Sequence, residues 1–285
     1  MTQVTADAPA NPIAATSRWM AAARARESER ADRLFNDPLA AVLAGPEGFA
    51  WLERMKSAAG SGGPELYPVI RTRFFDEFLL DACRTSRMRQ VVLVAAGLDT
   101  RAFRLDWPPQ TRLYEMDLSE VLEAKDAIIK KAGVQASCER RTIRADLRQD
   151  TWPEALLAAG YRPQGSSVWL IEGLLFYLSR TTVHTLLEKV SAQTVTGSLL
   201  GLDVMNRGLF VSPAAWPQQL ALAWQGAPGR FGTDDPEILL ADHGWDADVI
   251  QTGEEGANFG RWPMPPMPWW LPGLPRSFLV RARRL

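Results

Sequence analysis

Between residues 90 and 205, short strand-like segments alternate with helix-like segments, and this alternation constrains the fold more than any other feature of the chain. The strand-like segments are six to eight residues long, and the first, VVLVAA, is an apolar run rich in β-branched residues, which is typical of a buried strand. The predicted strands are 91–96, 112–117, 140–146, 167–172 and 198–205. Because strands that alternate with helices form βαβ units, the pattern predicts an α/β fold around a mainly parallel sheet.

The N-terminal region has a different composition and predicts helices without strands. Residues 1–16 are small and polar and predict a loose arm. Residues 17–34 are rich in alanine and arginine and predict a helix, which a second helix over 39–59 follows. The glycine, serine and proline cluster at 60–64 predicts a linker before a third helix over 68–84.

The C-terminal region combines irregular sequence with two further strand patterns. Residues 206–243 are predicted to be irregular and to cap a site, and residues 244–251 and 277–284 are predicted as late strands. The stretch WPMPPMPWWLPGLP between them contains too many prolines for a helix or a central strand. Tryptophans in these regions either form a small second core or line an aromatic pocket. They are Trp216, Trp224, Trp262, Trp269 and Trp270.

Composition excludes several classes of function. The formal net charge of −1 argues against a protein that binds nucleic acid by electrostatics. Two cysteines and two histidines are too few for a disulfide framework or a dedicated metal site. No apolar run is long enough to cross a membrane, and the N-terminus lacks the pattern of a signal peptide, so we expect a cytoplasmic protein. These patterns do not indicate an oligomeric state.

Small and acidic residues stand where the predicted strands end. The Ala95–Gly97 turn follows the first strand, and Asp117, Asp146 and Glu172 end the second, third and fourth. In an open parallel sheet, ligands bind beyond the carboxyl ends of the strands. The spacing from Gly97 to Asp117 is the spacing that a ribose-binding acid needs. The sequence therefore predicts a nucleoside site at this edge.

The first turn distinguishes between two ligands that share this layout, a nicotinamide dinucleotide and S-adenosylmethionine (SAM). A dinucleotide needs the pattern G-x-G-x-x-G, which brings a helix N-terminus to the pyrophosphate. The stretch AAGLDTRAF has one glycine, and Asp99 stands where an anion would lie. This favours a ligand that has a positive centre and no phosphate.

Arg71 lies on or beside the apolar face of the helix predicted over 68–84. A buried guanidinium without a partner is costly. The carboxylate of a methionine-derived ligand could satisfy it bidentately, and so could one of the strand-end acids through an internal ion pair. Both interpretations stay open at this point.

Four ordered motifs resemble one known family. They are VVLVAAGLDTRAFRL, YEMDLSEVLEAK, RADLRQDTW and WLIEGLLFYLS. Together with SRWMAAARARESERADRLFNDPLA near the N-terminus, they resemble the leucine carboxyl methyltransferase group of class I SAM-dependent methyltransferases, and its bacterial O-methyltransferase branch in particular. The resemblance runs from about residue 15 to residue 205.

The resemblance implies a Rossmann-like class I methyltransferase with a mostly parallel, seven-stranded sheet. The whole chain, 1–285, is then one domain. It divides into an N-terminal arm and helical lid (1–64), a SAM-binding core (65–205), and a cap region with the late strands (206–285).

The resemblance also implies roles for particular residues. Arg71 matches the arginine that binds the SAM carboxylate, Asp117 the acid that binds the ribose hydroxyls, and Glu172 an acid near the methionine amino group. Asp146 is expected to accept from the adenine amine. The implied cofactor-binding set is Arg26, Arg71, Ala95, Gly97, Asp117, Leu118, Asp146, Leu147 and Glu172. Arg26 matches a basic lid residue, and Ala95 replaces the family's first glycine.

The expected activity is SAM-dependent methylation (EC 2.1.1.-) of a carboxylate or hydroxyl of a small molecule, in the way of enzymes of secondary metabolism. Three alternatives stay open, namely methylation of a protein C-terminal carboxylate, a SAM-binding module without activity, and a NAD(P)-dependent oxidoreductase. No nucleic acid, membrane or metal partner is expected. No general base is assigned, because His184, His243 and Tyr177 each fit a structural role.

Overall fold

The computed structural model describes residues 12–59, 65–224, 226–271 and 273–285. Its centre is a seven-stranded sheet with the order β3-β2-β1-β4-β5-β7-β6. The strands are β1 (Gln90–Val94), β2 (Arg112–Asp117), β3 (Glu139–Arg144), β4 (Val168–Ile171), β5 (Leu199–Met205), β6 (Trp245–Gln251) and β7 (Ser277–Arg284). The pairs among β1 to β5 are parallel, and β7 runs antiparallel to β5 and β6. The prediction of an α/β, mostly parallel sheet is confirmed.

The order of the strands places a crevice at the carboxyl end of β1. This strand pairs with β2 on one side and with β4 on the other, so the chain reverses its direction of growth across the sheet at this point. All five residues of β1 are buried. A topological switch point of this kind opens a crevice at the carboxyl ends of the strands, which is where the sequence places its small and acidic residues.

Helices cover both faces of the sheet. Their bounds are α1 (Pro12–Ser28), α2 (Ala40–Ala59), α3 (Leu66–Arg84), α4 (Arg101–Arg104), α5 (Ser119–Ala132), α6 (Trp152–Ala158), α7 (Arg180–Ala192), α8 (Gly208–Val211), α9 (Trp216–Trp224) and α10 (Pro236–Ala241). One core cluster includes buried residues of α6, α7 and α10 together with the sheet. A second is built around α3, whose Phe74, Phe75 and Leu79 are buried.

A third cluster joins α1 and α2, where Ala22, Ala23 and Leu43 are almost completely buried. The helix predicted over 17–34 begins earlier, at Pro12, so residues 12–16 of the predicted arm are helical, and it also ends earlier, at Ser28. Polar side chains organise the chain beyond that point, because Glu27 accepts from the Leu34 amide and Ser28 accepts from the Asp37 amide. The predicted linker at 60–64, and residues 1–11 of the predicted arm, lie outside the described residues.

The two late strands form where the sequence predicts them, over Trp245–Gln251 and Ser277–Arg284. Between them, the described residues of the Pro-rich stretch contain no helix or strand. This segment returns over the carboxyl end of the sheet, since the Asn206 amide donates to the Arg276 carbonyl at 3.0 Å. The C-terminal region thereby covers the crevice from the side of β5.

Candidate functional site

A cavity of about 900 Å³ opens at the carboxyl ends of the parallel strands. Its walls are the turns after β1 to β5, the inner face of α1, and parts of the C-terminal region. Eight of the nine predicted cofactor-binding residues line it. They are Arg71, Ala95, Gly97, Asp117, Leu118, Asp146, Leu147 and Glu172. A cavity of this volume lies in the range of small-molecule and cofactor sites.

The turn after β1 approaches the cavity with its backbone. Ala95 and Gly97 have φ angles of 53° and 49°, in the left-handed region that favours glycine. Ala95 therefore holds a backbone conformation that a side chain strains. The Gly97 amide donates to Oδ2 of Asp117 at 2.7 Å, which ties the turns after β1 and β2 together.

Asp117 presents a fixed carboxylate to the cavity. Its Oδ1 accepts from the Leu118 amide at 2.7 Å, while Oδ2 accepts from Gly97. A carboxylate has about four acceptor positions, so lone pairs remain for two hydroxyl groups. Burial raises the pKa of Asp117, and the two amide bonds oppose this shift only in part.

Asp146 lies just beyond β3, the strand that pairs with β2, and is next to Leu147 at the cavity. Its two oxygens accept from the guanidinium of Arg148, with the shortest contact at 2.6 Å. This ion pair lowers the pKa of Asp146. Because the side chain of Arg148 is 76% exposed, it can move away from Asp146 at little cost.

Arg71 is buried and pairs with two acids. Its Nε donates to Glu172 and its Nη1 to Asp203, both at 2.9 Å. The internal ion pair considered from the sequence is therefore present. The hydrogen bond of its Nη2 to a described residue is a long one, to the sulfur of Met20 at 3.6 Å. Since a guanidinium has five N–H donors, Arg71 keeps donors for a further carboxylate.

These ion pairs belong to a larger buried chain of charges. Arg101, which is 2% exposed, donates to Asp76, Asp99 and Glu172. Arg104 binds Asp76 through both terminal nitrogens. Among the described residues, successive ion pairs join Arg24, Asp37, Arg104, Asp76, Arg101, Glu172, Arg71 and Asp203, and Asp99 is attached to Arg101 as a branch. The four arginines and five carboxylates of this network leave one net negative charge.

Arg26 is the predicted site residue that does not line the cavity. Its guanidinium pairs with Glu29 at 3.1 Å and lies over the ring of Phe49. The arginine of α1 that lines the cavity is Arg24, which donates to Asp37 and to the Leu98 carbonyl. Residues two apart on a helix point to different sides, which separates the two arginines.

Asp203 and Tyr67 also line the cavity, and neither was predicted from the sequence. The Tyr67 hydroxyl donates to Asp203 at 2.7 Å, and the Gly173 amide donates to the other oxygen of Asp203 at 2.6 Å. Gly173 has a φ of 68°, and a Cβ there would lie 3.3 Å from the Arg71 guanidinium. One signal was present, because Asp203 is the single charged residue of the apolar segment SLLGLDVM.

Of the three side chains considered as a general base, one lines the cavity and two lie outside it. Tyr177 lines the cavity, and burial raises its pKa. His184 and His243 contact each other at 3.0 Å through Nδ1 and Nε2, and neither lines the cavity. Within the described ranges, no cluster of three or more histidine, cysteine or acidic residues could hold a metal ion. No helix in that part of the chain is both long and apolar enough to span a membrane.

Comparison with known sequences connects this site to one family. The sequence model of the leucine carboxyl methyltransferase family matches residues 17–191. A relative from Streptomyces avermitilis is 41% identical over 261 residues, which is 87% of this chain and 88% of the relative. A relative from Streptomyces coelicolor is 39% identical and covers 95% of both chains. Both carry the name "Putative S-adenosyl-L-methionine-dependent methyltransferase".

Comparison with solved structures shows the fold. A "putative methyltransferase" from Thermobifida fusca superposes with a TM-score of 0.62 at 17% identity, covering 92% of this chain and 94% of that one. A DUF574 family protein from Streptomyces avermitilis gives a TM-score of 0.59 at 13% identity, with 93% and 97% covered. The seven-stranded arrangement is the class I methyltransferase fold, as predicted.

Proposed function

The chain belongs to the leucine carboxyl methyltransferase family, and from that premise we propose that it methylates a carboxylate or hydroxyl oxygen of a small molecule. It is a SAM-dependent methyltransferase, which sets aside the alternative of a nicotinamide-dependent oxidoreductase. We keep the division into an arm and lid (1–64), a core (65–205) and a cap region (206–285) within one domain. The contribution of α1 to the cavity wall supports the placement of the lid.

We assign the cofactor to the strand-end residues. In this assignment Asp117 accepts from the ribose hydroxyls, and Asp146 accepts from the adenine amine beside Leu147. Nη2 of Arg71 donates to the methionine carboxylate, and Glu172 and Asp203 face the methionine amino group. The observation that carries the assignment is the carboxylate of Asp117, which two backbone amides hold at the edge of the cavity.

The charge of the buried network supports this placement. SAM has a sulfonium, an ammonium and a carboxylate, so its net charge at neutral pH is positive. The network of four arginines and five carboxylates is net negative by one charge. An uncompensated buried charge is costly, and a cationic ligand beside Glu172 and Asp203 offsets it.

For methyl transfer, the main task of the protein is to align the acceptor oxygen with the methyl carbon and the sulfur. The acceptor oxygen forms a bond to the methyl carbon as the carbon–sulfur bond breaks, and the electron pair of that bond goes to sulfur. SAM supplies an already activated methyl group. Well-oriented reactants gain effective molarities of about 10⁵–10⁸ M, so positioning accounts for most of the acceleration. A carboxylate acceptor needs no base, whereas the proton of a hydroxyl acceptor must leave to solvent or to a base.

The lining of the remaining space supports a small acceptor. The end of β5 and the C-terminal region contribute an apolar wall that contains Met205, Leu209, Trp262, Met264 and Met267, and the methionines among them are adaptable. Sites for small organic molecules are lined in this way. We therefore place the acceptor between the sulfonium position and this apolar wall.

Label transfer tests the choice of acceptor class. The full chain is incubated with methyl-labelled SAM and either a deproteinised extract of small molecules or a desalted protein extract. We expect label in an organic-extractable product from the first mixture. Label found only in protein, and released by mild base as methanol, would instead establish the protein carboxyl methyltransferase alternative. The Asp117→Ala variant is the control and should transfer little label from SAM.

The raised pKa of Asp117 predicts an acid-sensitive affinity for the cofactor. Below its raised pKa the carboxyl is protonated and accepts poorly from ribose hydroxyls, so affinity is full above that pKa and is lost as the pH falls through it. The loss should begin above the range expected from the ordinary value of 3.8. Asp146 and Glu172, whose pKa values are lowered, remain charged over this range.

The measurement is the affinity for S-adenosylhomocysteine (SAH) between neutral pH and pH 4, with circular dichroism to follow folding at each step. Asp117→Asn has no titrating group at this position, so its weaker affinity should vary much less over the same range. An equally steep pH dependence in Asp117→Asn would assign the effect to another group.

A further inference from the structure

Six arginines line the cavity, and one of them differs from the rest. Five are ion-paired with a carboxylate of the chain, namely Arg24, Arg71, Arg101, Arg104 and Arg148. The sixth, Arg276, is in no ion pair among the described residues. Since an arginine stays charged at any physiological pH, it offers the cavity a positive charge that the described chain does not neutralise.

The position of Arg276 is fixed by its backbone. Its amide donates to Oδ1 of Asn206 at 2.8 Å, and the Asn206 amide donates to its carbonyl at 3.0 Å. The side chain of Asn206 also donates to the Leu274 carbonyl at 2.8 Å. Asn206 directly follows β5, so these bonds hold Arg276 at the carboxyl end of the strand that contains Asp203.

The guanidinium is only partly satisfied. Its Nη2 donates to the carbonyls of Pro268, at 2.6 Å, and Leu271. Its Nε is buried and has no hydrogen-bond partner among the described residues, and its Nη1 makes no hydrogen bond to them. The two carbonyls orient Nη2 of the planar guanidinium, and Nη1 remains available for an acceptor from outside the chain.

The cavity wall on the side of Arg276 is mainly apolar and also includes the polar side chains of Gln251, Thr252 and Ser277. From Met205 onward, the described residues that line the cavity include no aspartate or glutamate, and Arg276 is their single charged member. Its neighbours on this wall include Leu209, Trp262 and Met264. Charge–charge attraction is stronger next to apolar walls than in water, so the half-buried Arg276 would attract an anion in the cavity more strongly than a fully exposed arginine would.

We propose that Arg276 binds a carboxylate of the methyl acceptor, and that the acceptor is an apolar or aromatic carboxylic acid. The inference rests on the proposed function and specifies its acceptor class. A neutral alcohol or ester of the same shape would leave the guanidinium without its partner, which disfavours such a molecule relative to the acid. Arg276 is thus a specificity-determining residue for the acceptor, separate from the groups assigned to the cofactor.

The test uses 2-naphthoate as the acid and its methyl ester as the neutral probe, titrated into the full chain saturated with SAH. We expect the wild-type chain to bind naphthoate at least tenfold more tightly than the ester. Arg276→Gln should lose most of that preference without a change in ester affinity. Arg276→Lys, which keeps the charge, should retain part of the preference. Arg207→Gln removes an exposed arginine near Asn206 that does not line the cavity, and should behave like the wild-type chain.

Each outcome separates this proposal from the function on which it rests. If SAH does not bind the wild-type chain, the proposed function itself fails. If SAH binds but naphthoate shows no preference over the ester, or neither probe binds, the assignment of Arg276 is overturned. If Arg276→Gln lost affinity for naphthoate and for the ester to the same extent, the residue would only shape the loop at 268–271. That result would also overturn the assignment of Arg276.

Discussion

Replacement of Arg101 by methionine is expected to lower the free energy of unfolding by about 3–5 kcal/mol, because removing one partner of a buried ion pair leaves uncompensated charge. Arg101 is 2% exposed and bridges Asp76, Asp99 and Glu172. Asp76 and Glu172 each keep a second arginine, whereas Asp99 is in no other ion pair among the described residues. Methionine has a similar length, so loss of volume contributes little.

Urea unfolding measures this effect as a lower midpoint concentration of urea, with an unchanged dependence of the free energy of unfolding on urea concentration. The matched control is Arg112→Met, which breaks an ion pair with Glu139 whose side chains are 38% and 46% exposed. Exposed pairs of this kind contribute about 0–1 kcal/mol, so the control should unfold close to the wild-type midpoint. If Arg101→Met unfolded there too, the charge network would not be a structural requirement of the site.

Asp117→Ala is expected to weaken SAH binding by at least about 100-fold. Hydrogen bonds to a charged group contribute about 1.5–3 kcal/mol each, and two ribose hydroxyls would lose their acceptor. The variant should remain folded, although the amides of Gly97 and Leu118 also lose a partner. Each buried unpaired amide costs about 1–3 kcal/mol, which most domains tolerate.

Isothermal titration with SAH, after circular dichroism has shown native folding, measures the effect. Asp106→Ala is the matched control, because it removes an aspartate whose side chain is 99% exposed and lies outside the cavity. Its affinity should equal that of the wild-type chain. A folded Asp117→Ala variant with wild-type affinity would refute the assignment of this residue to the ribose.

The strands were the most predictable part of the fold. Strands that are buried on both faces form continuous apolar runs, and the acids at their ends mark where each run meets the ligand edge. The late strands β6 and β7 were also predicted, because the Pro-rich stretch separates them clearly. The end of α1 was predicted six residues too late, since side-chain bonds of Glu27 and Ser28 organise a sequence that has helical composition.

The site was predicted less completely than the sheet. Asp203 was missed because a fully buried strand shows no alternation that would indicate the side to which its single acid points. Arg26 was assigned from the resemblance alone, and it lies two residues from the cavity-lining Arg24, on another face of the helix. The ion pairs of Asp76 with Arg101 and Arg104 arise between α3 and α4, and no local pattern encodes which charges will meet.

The central claim is that the polar edge of the sheet binds SAM, and a crystal structure of the chain with SAH tests it most directly. We expect the ribose hydroxyls within hydrogen-bond distance of Asp117, the adenine beside Asp146 and Leu147, and the homocysteine carboxylate on Arg71. A crevice without the nucleoside, or one in which the nucleoside lies away from Asp117, would contradict the claim.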